Sequence, residues 1–575
     1  MIWFLFNTAR FRSEQEHIRA LEGEAAWLKV SGWRTSTDVH LCLDATITVG
    51  ADDYPVTLQY PHQYPDVPPA VLPQQSARWS DHQYGDRELC LEYGPDNWVT
   101  TLTGADMLKS AFRLLSDQTP RADGQADAVP SRHATTRGQD LRSTYGRLML
   151  TQTTAARLAV ATRGQTTVVD FHLLHRKNTS VVVPIAFAAL DGVAWADEAV
   201  PAALKELADQ ARGLTFFLPT GVMLPAESKG IAFREKLREL GLILPDNYAP
   251  GFFDFVLTWG DDGAHLVRFL NDSDDDVVVR AVVSAEGGVR QDAALDDLRN
   301  KSIGLVGCGS AGAKIATLLA RAGVGKFTLI DDDLLLPENL VRHDLDWSSI
   351  AEHKAEALAR RLELVNPHVK TTVRKIRLGG QQANVTLDWD LTLLETCDII
   401  IDATANERVF NLAAAAAKAS SKPLVWLKIY AGGIGGLMAR SRPALDPEPQ
   451  VVRAAIDAWC AAQATPVPRA IGRYDGQDEN GTPMIATDAD VSVIAAHAAR
   501  FSLDLLLARA PSAFPFSAYL IGLSQGWIFE QPFQTFPIDI GPAPVKEEEV
   551  TPDEATVNEI LEVLKDRRDL PSVTA

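Results

Sequence analysis

Residues 303–345 read IGLVGCGSAGAKIATLLARAGVGKFTLIDDDLLLPENLVRHDL. A short strand-like run, 303–306, enters a loop holding Gly307, Gly309 and Gly312. Ile315, Leu318, Leu319 and Ala322 follow at helical spacing, and a second strand-like run, 327–330, ends at Asp331. Strand, glycine loop, helix, strand and acid is the order of a nucleotide-binding unit. Gly307 allows a tight turn, Gly309 close approach of backbone to phosphate, and Gly312 close packing of helix on strand. The free N–H groups and positive dipole end at the helix N-terminus face the phosphates. Asp331, about 20 residues past the loop, is placed to bond a ribose hydroxyl. The glycines do not separate NAD from ATP; Asn339, Arg342 and Lys354, beyond the acid, do. A pyrophosphate at a helix end needs few cations. Attack at the α-phosphate of a triphosphate builds negative charge that several must meet. ATP is therefore the expected nucleotide, and a nicotinamide oxidoreductase is disfavoured by Arg342 and Lys354.

The run G-C-G-S-A-G, D-D-D, P-E-N-L-V-R-H, the lysine in H-K-A-E-A-L-A and V-N-P-H-V occur in that order. On these motifs residues 290–430 resemble the adenylation domain shared by ubiquitin-activating enzymes and the bacterial ThiF/MoeB proteins. Those enzymes join the C-terminal carboxylate of a small protein to AMP. The resemblance implies ATP with Mg2+, ribose contact by Asp331, and phosphate contact by Asn339, Arg342 and Lys354. The family's D-x-T-D-N pattern is altered here to Asp402-Ala403-Thr404-Ala405-Asn406. Ala405 stands where a second acid is expected, which leaves Asp402 as the candidate metal ligand. Paired CxxC motifs are absent, so no structural zinc is expected.

With 575 residues the chain exceeds one core, and about three domains are expected. Hydrophobic residues make up 46%, as in globular proteins. A formal net charge of −20 argues against nucleic acid or an anionic membrane as main partner. The opening MIWFLF lacks a basic region and a cleavage site, so it reads as a buried segment rather than a leader. Five scattered cysteines point to a reducing cytoplasm. The Pro-, Gly- and Asp-rich segment 119–140 reads as a linker. Residues 141–288 read as a separate α/β module with strands near 166–174, 180–187, 253–258 and 265–270. In the acidic tail, 546–575, Thr551 and Glu554 form a capping box and Pro552 takes the first helical position. Val557, Ile560, Leu561 and Leu564 give that helix one apolar face, expected to dock on this protein's own surface.

Near the N-terminus a helix at 13–25 and strands near 27–30, 40–49 and 56–60 precede TLQYPHQYPDVPPAVLPQQSARWSDHQYGDRELCLEYGPDNW. Pro61, Pro65, Pro68 and Pro69 force an extended, turn-rich path. A strand-like tripeptide then delivers Cys90, with Trp98 and a helix from about 103 after it. Helix, meander, Y-P-x-x-Y-P-x-x-P-P and L-C-L before a tryptophan resemble a ubiquitin-conjugating enzyme over residues 10–118. The resemblance makes Cys90 the acceptor of a thioester, whose sulfur is expected to be partly exposed. Where that family has His-Pro-Asn, this chain has His82-Gln83-Tyr84, and His82 is a candidate for orienting the loop or donating a hydrogen bond. Cys42, in an apolar strand, reads as core.

Activating enzymes of the ubiquitin type carry a further cysteine, and beyond residue 429 only Cys460 is available. It shares a helical face with Val452, Ile456 and Trp459, which favours a buried structural thiol. Thr482, in the polar loop 472–490, is a hydroxyl alternative, and direct transfer from AMP to Cys90 is the third route. The fold expected is α/β multidomain: a conjugating-like α+β domain (1–118), the linker, an inactive adenylation-like or dimerisation module (141–288), a Rossmann-like ThiF-type domain (289–545) and the tail. This order resembles the fused enzymes of bacterial antiphage operons of the CBASS type, which attach the C-terminus of a cGAS-like nucleotidyltransferase to other molecules. It implies a protein substrate with a flexible C-terminus, a target amine and a homodimer. A pathway with a ubiquitin-like modifier, a ThiF-type sulfur-carrier adenylyltransferase and a non-catalytic scaffold remain the alternatives.

Overall fold

The computed structural model describes residues 2–80, 82–84, 87–117, 136–142, 144–224, 230–242, 255–268, 277–279, 281–284, 291–380, 384–465, 485–543 and 553–565. Thr482, Thr551 and Pro552 lie outside them. Met1–Ser143 and Thr144–Ala575 are two compact units.

In the first unit, helix α1 (Thr8–Glu24) precedes an antiparallel meander of β1 (Leu28–Thr35), β2 (Leu41–Val49), β3 (Asp52–Tyr60) and β4 (Ala70–Pro73), and α2 (Gly104–Asp117) closes it. Leu41, Leu43, Ala45 and Ile47 alternate along β2, as a one-faced strand requires. They pack with Ile18 and Leu21 of α1 and Leu108, Ala111 and Leu115 of α2. The fully buried Glu14 ties α1 to the proline-rich path. Its carboxylate accepts from Tyr60 Oη (2.9 Å), from Tyr64 Oη and from the Gly104 N–H that opens α2 (2.8 Å), and pairs with Arg10 at 3.0 Å. A buried charge is tolerated only when partnered in this way. Of the opening apolar run, Trp3 is buried, packed 4.7 Å from the Tyr64 ring. Leu5 and Phe6 are 62% and 73% exposed, so that segment is not a buried one throughout.

The second unit contains two sheets. The first has the order β12-β11-β10-β9-β6-β7-β5-β13, with β8 beside β7. Its strands are β5 (Gly146–Leu150), β6 (Thr166–Arg176), β7 (Thr179–Leu190), β8 (Val193–Ala196), β9 (Asp209–Phe217), β10 (Phe255–Gly260), β11 (Gly263–Arg268), β12 (Val277–Val279) and β13 (Ala281–Ser284). The pairs β6–β7, β6–β9, β7–β8, β10–β11 and β11–β12 are antiparallel; β9–β10, β5–β7 and β5–β13 are parallel.

The second sheet runs β16-β15-β14-β17-β18-β19-β20-β21. Its parallel part is β14 (Ser302–Val306), β15 (Lys326–Ile330), β16 (Lys370–Arg374), β17 (Ile399–Asp402) and β18 (Leu424–Ile429). The strands β19 (Gly435–Ser441), β20 (Ala518–Gly522) and β21 (Thr535–Pro537) extend it antiparallel. Parallel strands covered on both faces are apolar throughout. Ile399 and Ile401 face one core with α3 (Ser310–Arg321), α4 (Lys354–Val365) and α7 (Asp488–Leu506). Ile400 faces the other, with α5 (Glu407–Ala419) and α6 (Pro449–Ala461). Leu318, expected on the apolar face of α3, is 40% exposed. A 3.6 Å ion pair from Arg360 on α4 to Glu206 joins this part of the unit to the chain leading into β9.

The last helix, α8 (Glu554–Lys565), begins with the Asp553 carboxylate accepting from Thr556 N–H at 2.8 Å, so Asp553 caps it. Val557, Ile560 and Leu561 are 38%, 51% and 45% exposed. The expected docking of this face on the protein's own surface is therefore not what the described residues adopt.

Candidate functional site

The first strand of the parallel sheet, β14, lies between β15 and β17. Strand order reverses there, and ligands bind at the carboxyl ends of such strands. Gly307 follows β14 with φ +91°. A Cβ on Gly312 would stand 1.9 Å from the Gly307 carbonyl oxygen, whereas one on Gly309 would meet nothing within 4 Å. Turn, tight helix packing and an open approach are thus divided among the three glycines. Gly309 is the N-cap of α3 and makes no side-chain cap, leaving the helix N–H groups to a ligand.

Asp331 follows β15. Its Oδ2 accepts from Cys308 N–H at 2.7 Å and its Oδ1 from Asp333 N–H at 2.8 Å. Burial pushes its pKa up, against those two N–H groups and the Lys354 charge. Lys354, buried at the start of α4, places Nζ 3.1 Å from Asp333 Oδ2. Asn339 sits in the 3-10 turn Pro337–Val341, its Oδ1 accepting from Leu336 N–H at 3.0 Å. The next carbonyl, that of Arg342, accepts from Ser310 Oγ and from Lys314 Nζ at 2.6 Å. His343 accepts from Leu345 N–H on Nδ1 (3.2 Å), so Nε2 carries the proton and donates to Cys308 O at 3.0 Å. Burial holds this imidazole down at about 4. The cation-bearing loop is thereby laced to the first turns of α3.

Lys314 was not among the residues singled out from the sequence. It is 8% exposed, and it also pairs with Asp488 of α7 at 2.8 Å. Its spacing of four from Ser310 was the available signal. His343 lay in the quoted R-H pair without a role.

Across the crevice, Asp402 ends β17, 2% exposed. Its Oδ1 accepts from Thr404 N–H (2.9 Å) and Thr404 Oγ1 (2.6 Å), and burial pushes its pKa up to about 6. Ala405 has φ +52°, a conformation that Asn and Asp adopt more readily than Ala. Asn406 caps α5 by accepting from Arg408 N–H at 3.0 Å. No group of three or more His, Cys, Asp or Glu able to hold a metal occurs among the described residues. A single buried carboxylate suits Mg2+, which takes one or two carboxylates and completes its shell with phosphates and water.

In the first unit, Cys90 is 3% exposed, which corrects the expectation of a partly exposed sulfur. Burial pushes the thiol up; the Tyr84 hydroxyl, hydrogen-bonded to it, pulls it down, and the Glu88 charge pushes it up again. The Cys90 N–H donates to His82 O at 2.8 Å, and His82 N–H to Ser80 Oγ at 2.8 Å. His82 therefore orders the loop beside Cys90 through its backbone. Gln83, 2% exposed, accepts from Trp79 N–H (2.9 Å) and donates to Ala77 O (2.7 Å) and Arg87 O (3.0 Å). Gln83 and Tyr84 carry local organisation that sequence reading assigned to His82 alone.

The remaining thiols are buried: Cys42, Cys308, Cys397 and Cys460. Cys460 lies on α6 with Val452 and Ile456, and burial pushes its pKa up while the Tyr430 hydroxyl pulls it down. No helix among the described residues is long and apolar enough to cross a membrane.

Residues 283–467 match the ThiF family. Similar proteins include the ATP-dependent ubiquitin transferase-like protein Cap2 of Pseudomonas aeruginosa, 35% identical over 114 residues, 19% of each chain. Cap2 of Escherichia coli is 39% identical over 116 residues, covering 20% of this chain and 18% of that one. The probable adenylyltransferase/sulfurtransferase MoeZ of Mycobacterium tuberculosis is 29% identical over 134 residues, 23% of this chain and 32% of MoeZ. Each match spans well under half of the relative's length. A solved complex of Escherichia coli MccB with AMPCPP and MccA is 16% identical, covering 44% of this chain and 68% of MccB, at a TM-score of 0.32. The match to the ThiF family thus covers residues 283–467 of a mixed α/β chain.

Proposed function

We propose that this chain activates the C-terminal carboxylate of a protein with ATP, accepts it on Cys90 as a thioester and passes it to an amine. The carrying observation is a glycine loop at the strand-order reversal whose neighbouring loop, with Arg342, is laced to α3, in a stretch that matches the ThiF family. Asp331 binds the ribose, the α3 N-terminus, Asn339, Arg342 and Lys354 the phosphates, and Asp402 one Mg2+. The metal supplies charge neutralisation of the triphosphate; positioning falls to the protein groups. Residues 1–118 then act as a conjugating-like domain, and 141–288 as a non-catalytic partner fold in a homodimer.

The proposed substrate is a protein with a flexible C-terminus, either a cGAS-like nucleotidyltransferase in antiphage defence or a ubiquitin-like modifier. ATP–pyrophosphate exchange with such a C-terminal peptide, followed by a reductant-sensitive adduct on the full chain, tests both steps. Tight NAD binding without ATP binding sinks the first, and an adduct surviving Cys90→Ala sinks the second. The similarity to MoeZ favours a second reading, a sulfur-carrier adenylyltransferase in which Cys90 is incidental; exchange without any adduct is its signature.

A further inference from the structure

We propose that Tyr84 is the hydrogen-bond donor that serves the sulfur of Cys90 and, once acyl transfer begins, the acyl oxygen. This rests on the reading of Cys90 as an acyl carrier. Gln83 and Leu89 form an antiparallel bridge. On either side of it, Cys90 N–H donates to His82 O at 2.8 Å and Tyr84 N–H to Glu88 O at 2.9 Å. In such a pairing, opposed residues share a face and successive residues alternate. His82, Tyr84, Glu88 and Cys90 therefore lie on one face, with Gln83 and Leu89 on the other, each 2% exposed. The three hydrogen bonds of the Gln83 amide fix the register, and the register decides which side chain stands diagonal to Cys90. It is Tyr84, at a diagonal separation of about 7–8 Å between backbones, which an aromatic side chain spans. Its hydroxyl meets the Cys90 thiol. Glu88, on the same face, carries the wrong charge to assist a thiolate.

The chemistry needs such a donor twice. The thiol proton leaves to solvent, and the thiolate attacks the carbonyl carbon of the acyl-adenylate. The C–S bond forms as the carbonyl pair moves to oxygen; that pair then re-forms the carbonyl as the C–O bond to phosphate breaks, and AMP leaves with the electrons of the broken bond. In transfer, the amine nitrogen forms the C–N bond and loses its proton to solvent, and the C–S bond breaks with the pair returning to sulfur. Negative charge sits first on sulfur, then on the acyl oxygen, then on sulfur again. A phenol is a hydrogen-bond donor at neutral pH and donates to either atom. With Cys90 3% exposed, the Tyr84 ring must shift to admit an acyl group while its hydroxyl stays within reach of the acyl oxygen, and its own 44% exposure leaves room for that.

The test uses the full chain and a glycyl-peptide thioester, which loads Cys90 by thiol exchange without ATP or the natural protein. Three readouts are taken on wild type, Tyr84→Phe and Cys90→Ala: ultraviolet thiolate absorbance against pH, loading rate, and discharge to free lysine. Tyr84→Phe is expected to raise the pH at which the Cys90 thiolate appears and to slow loading and discharge by roughly a hundredfold, with an unchanged melting temperature. Wild-type titration and rates in Tyr84→Phe overturn the proposal. If Tyr84→Phe is poorly folded, Tyr84→His, which keeps a donor, must recover part of the discharge rate; equal loss in both overturns it. Failure of wild type to load any adduct that Cys90→Ala removes overturns instead the acyl-carrier reading, and this proposal with it.

Discussion

The two candidate sites are built in opposite ways. The nucleotide crevice is held from many directions: Asp331 by two backbone N–H groups, the Arg342 carbonyl by Ser310 and Lys314, and Cys308 by His343. Its parts come from β14, α3, β15, β17 and α4, all anchored in two buried cores. The Cys90 site is a short hairpin whose register depends on Gln83, and the group touching the sulfur, Tyr84, is largely exposed. A site that binds one fixed cofactor gains from preorganisation. On the proposed function the Cys90 site must admit a large acyl group, and it gains from a contact that is readily rearranged.

The sharpest separation of the two is expected from removing their central groups. Asp331→Ala should lower pyrophosphate exchange by roughly a hundredfold, since a preorganised polar contact to the nucleotide is lost. Cys90→Ala should leave exchange intact and remove the reductant-sensitive adduct. An exchange defect in Cys90→Ala breaks the contrast. Next, Lys314→Met removes one of the two donors to the Arg342 carbonyl, worth about 1.5 kcal/mol, or roughly tenfold in KM for ATP. Loading of Cys90 by a peptide thioester should not change; a change there means that the two sites are coupled.

A smaller effect concerns pH. His343 is held down at about 4, against an unfolded value near 6.5. Its contribution to stability is present above about 6.5 and is lost as pH falls toward 4, by up to about 1.4 kcal/mol per pH unit. Asp402, pushed up to about 6, works the other way: its contribution is present at low pH and is lost as pH rises from about 4 through 6. Melting curves from pH 7 to 4.5 on an Asp402→Asn background isolate the histidine. There, His343→Gln should flatten the acid loss, and an unchanged slope rejects the assignment. The smallest effect is expected at Cys460, buried against Tyr430. Cys460→Ser should keep most conjugating activity; loss of the Cys90 adduct with exchange intact makes Cys460 the carrier.

Legibility in the sequence followed the same division. The nucleotide crevice could be read because its determinants are local: three glycines at fixed spacing, an acid at a strand end, an asparagine and an arginine in the next loop and a lysine at the head of the helix after it. Ser310 and Lys314 went unread because what they hold, a carbonyl some thirty residues away, is a tertiary contact. The meander of the first unit was legible from alternation along β2 and from the prolines. The exposure of Cys90 was not, because it depends on the hairpin register set by Gln83. In 141–288 the strand-like runs near 166–174 and 180–187 were legible as β6 and β7, but their antiparallel pairing needs the other strands. The apolar stripe of α8 was read correctly as a stripe; a stripe does not say what covers it, and in these residues it is exposed.

The burial of Cys90 has a bearing on oxidative damage. Sulfur oxidation follows thiolate content and access. A sulfur 3% exposed, with its pKa raised by burial, is a poor target for peroxide while idle. Susceptibility is thus expected to be confined to turnover, when the sulfur is uncovered. Time spent working, rather than time elapsed, would set how long each molecule lasts.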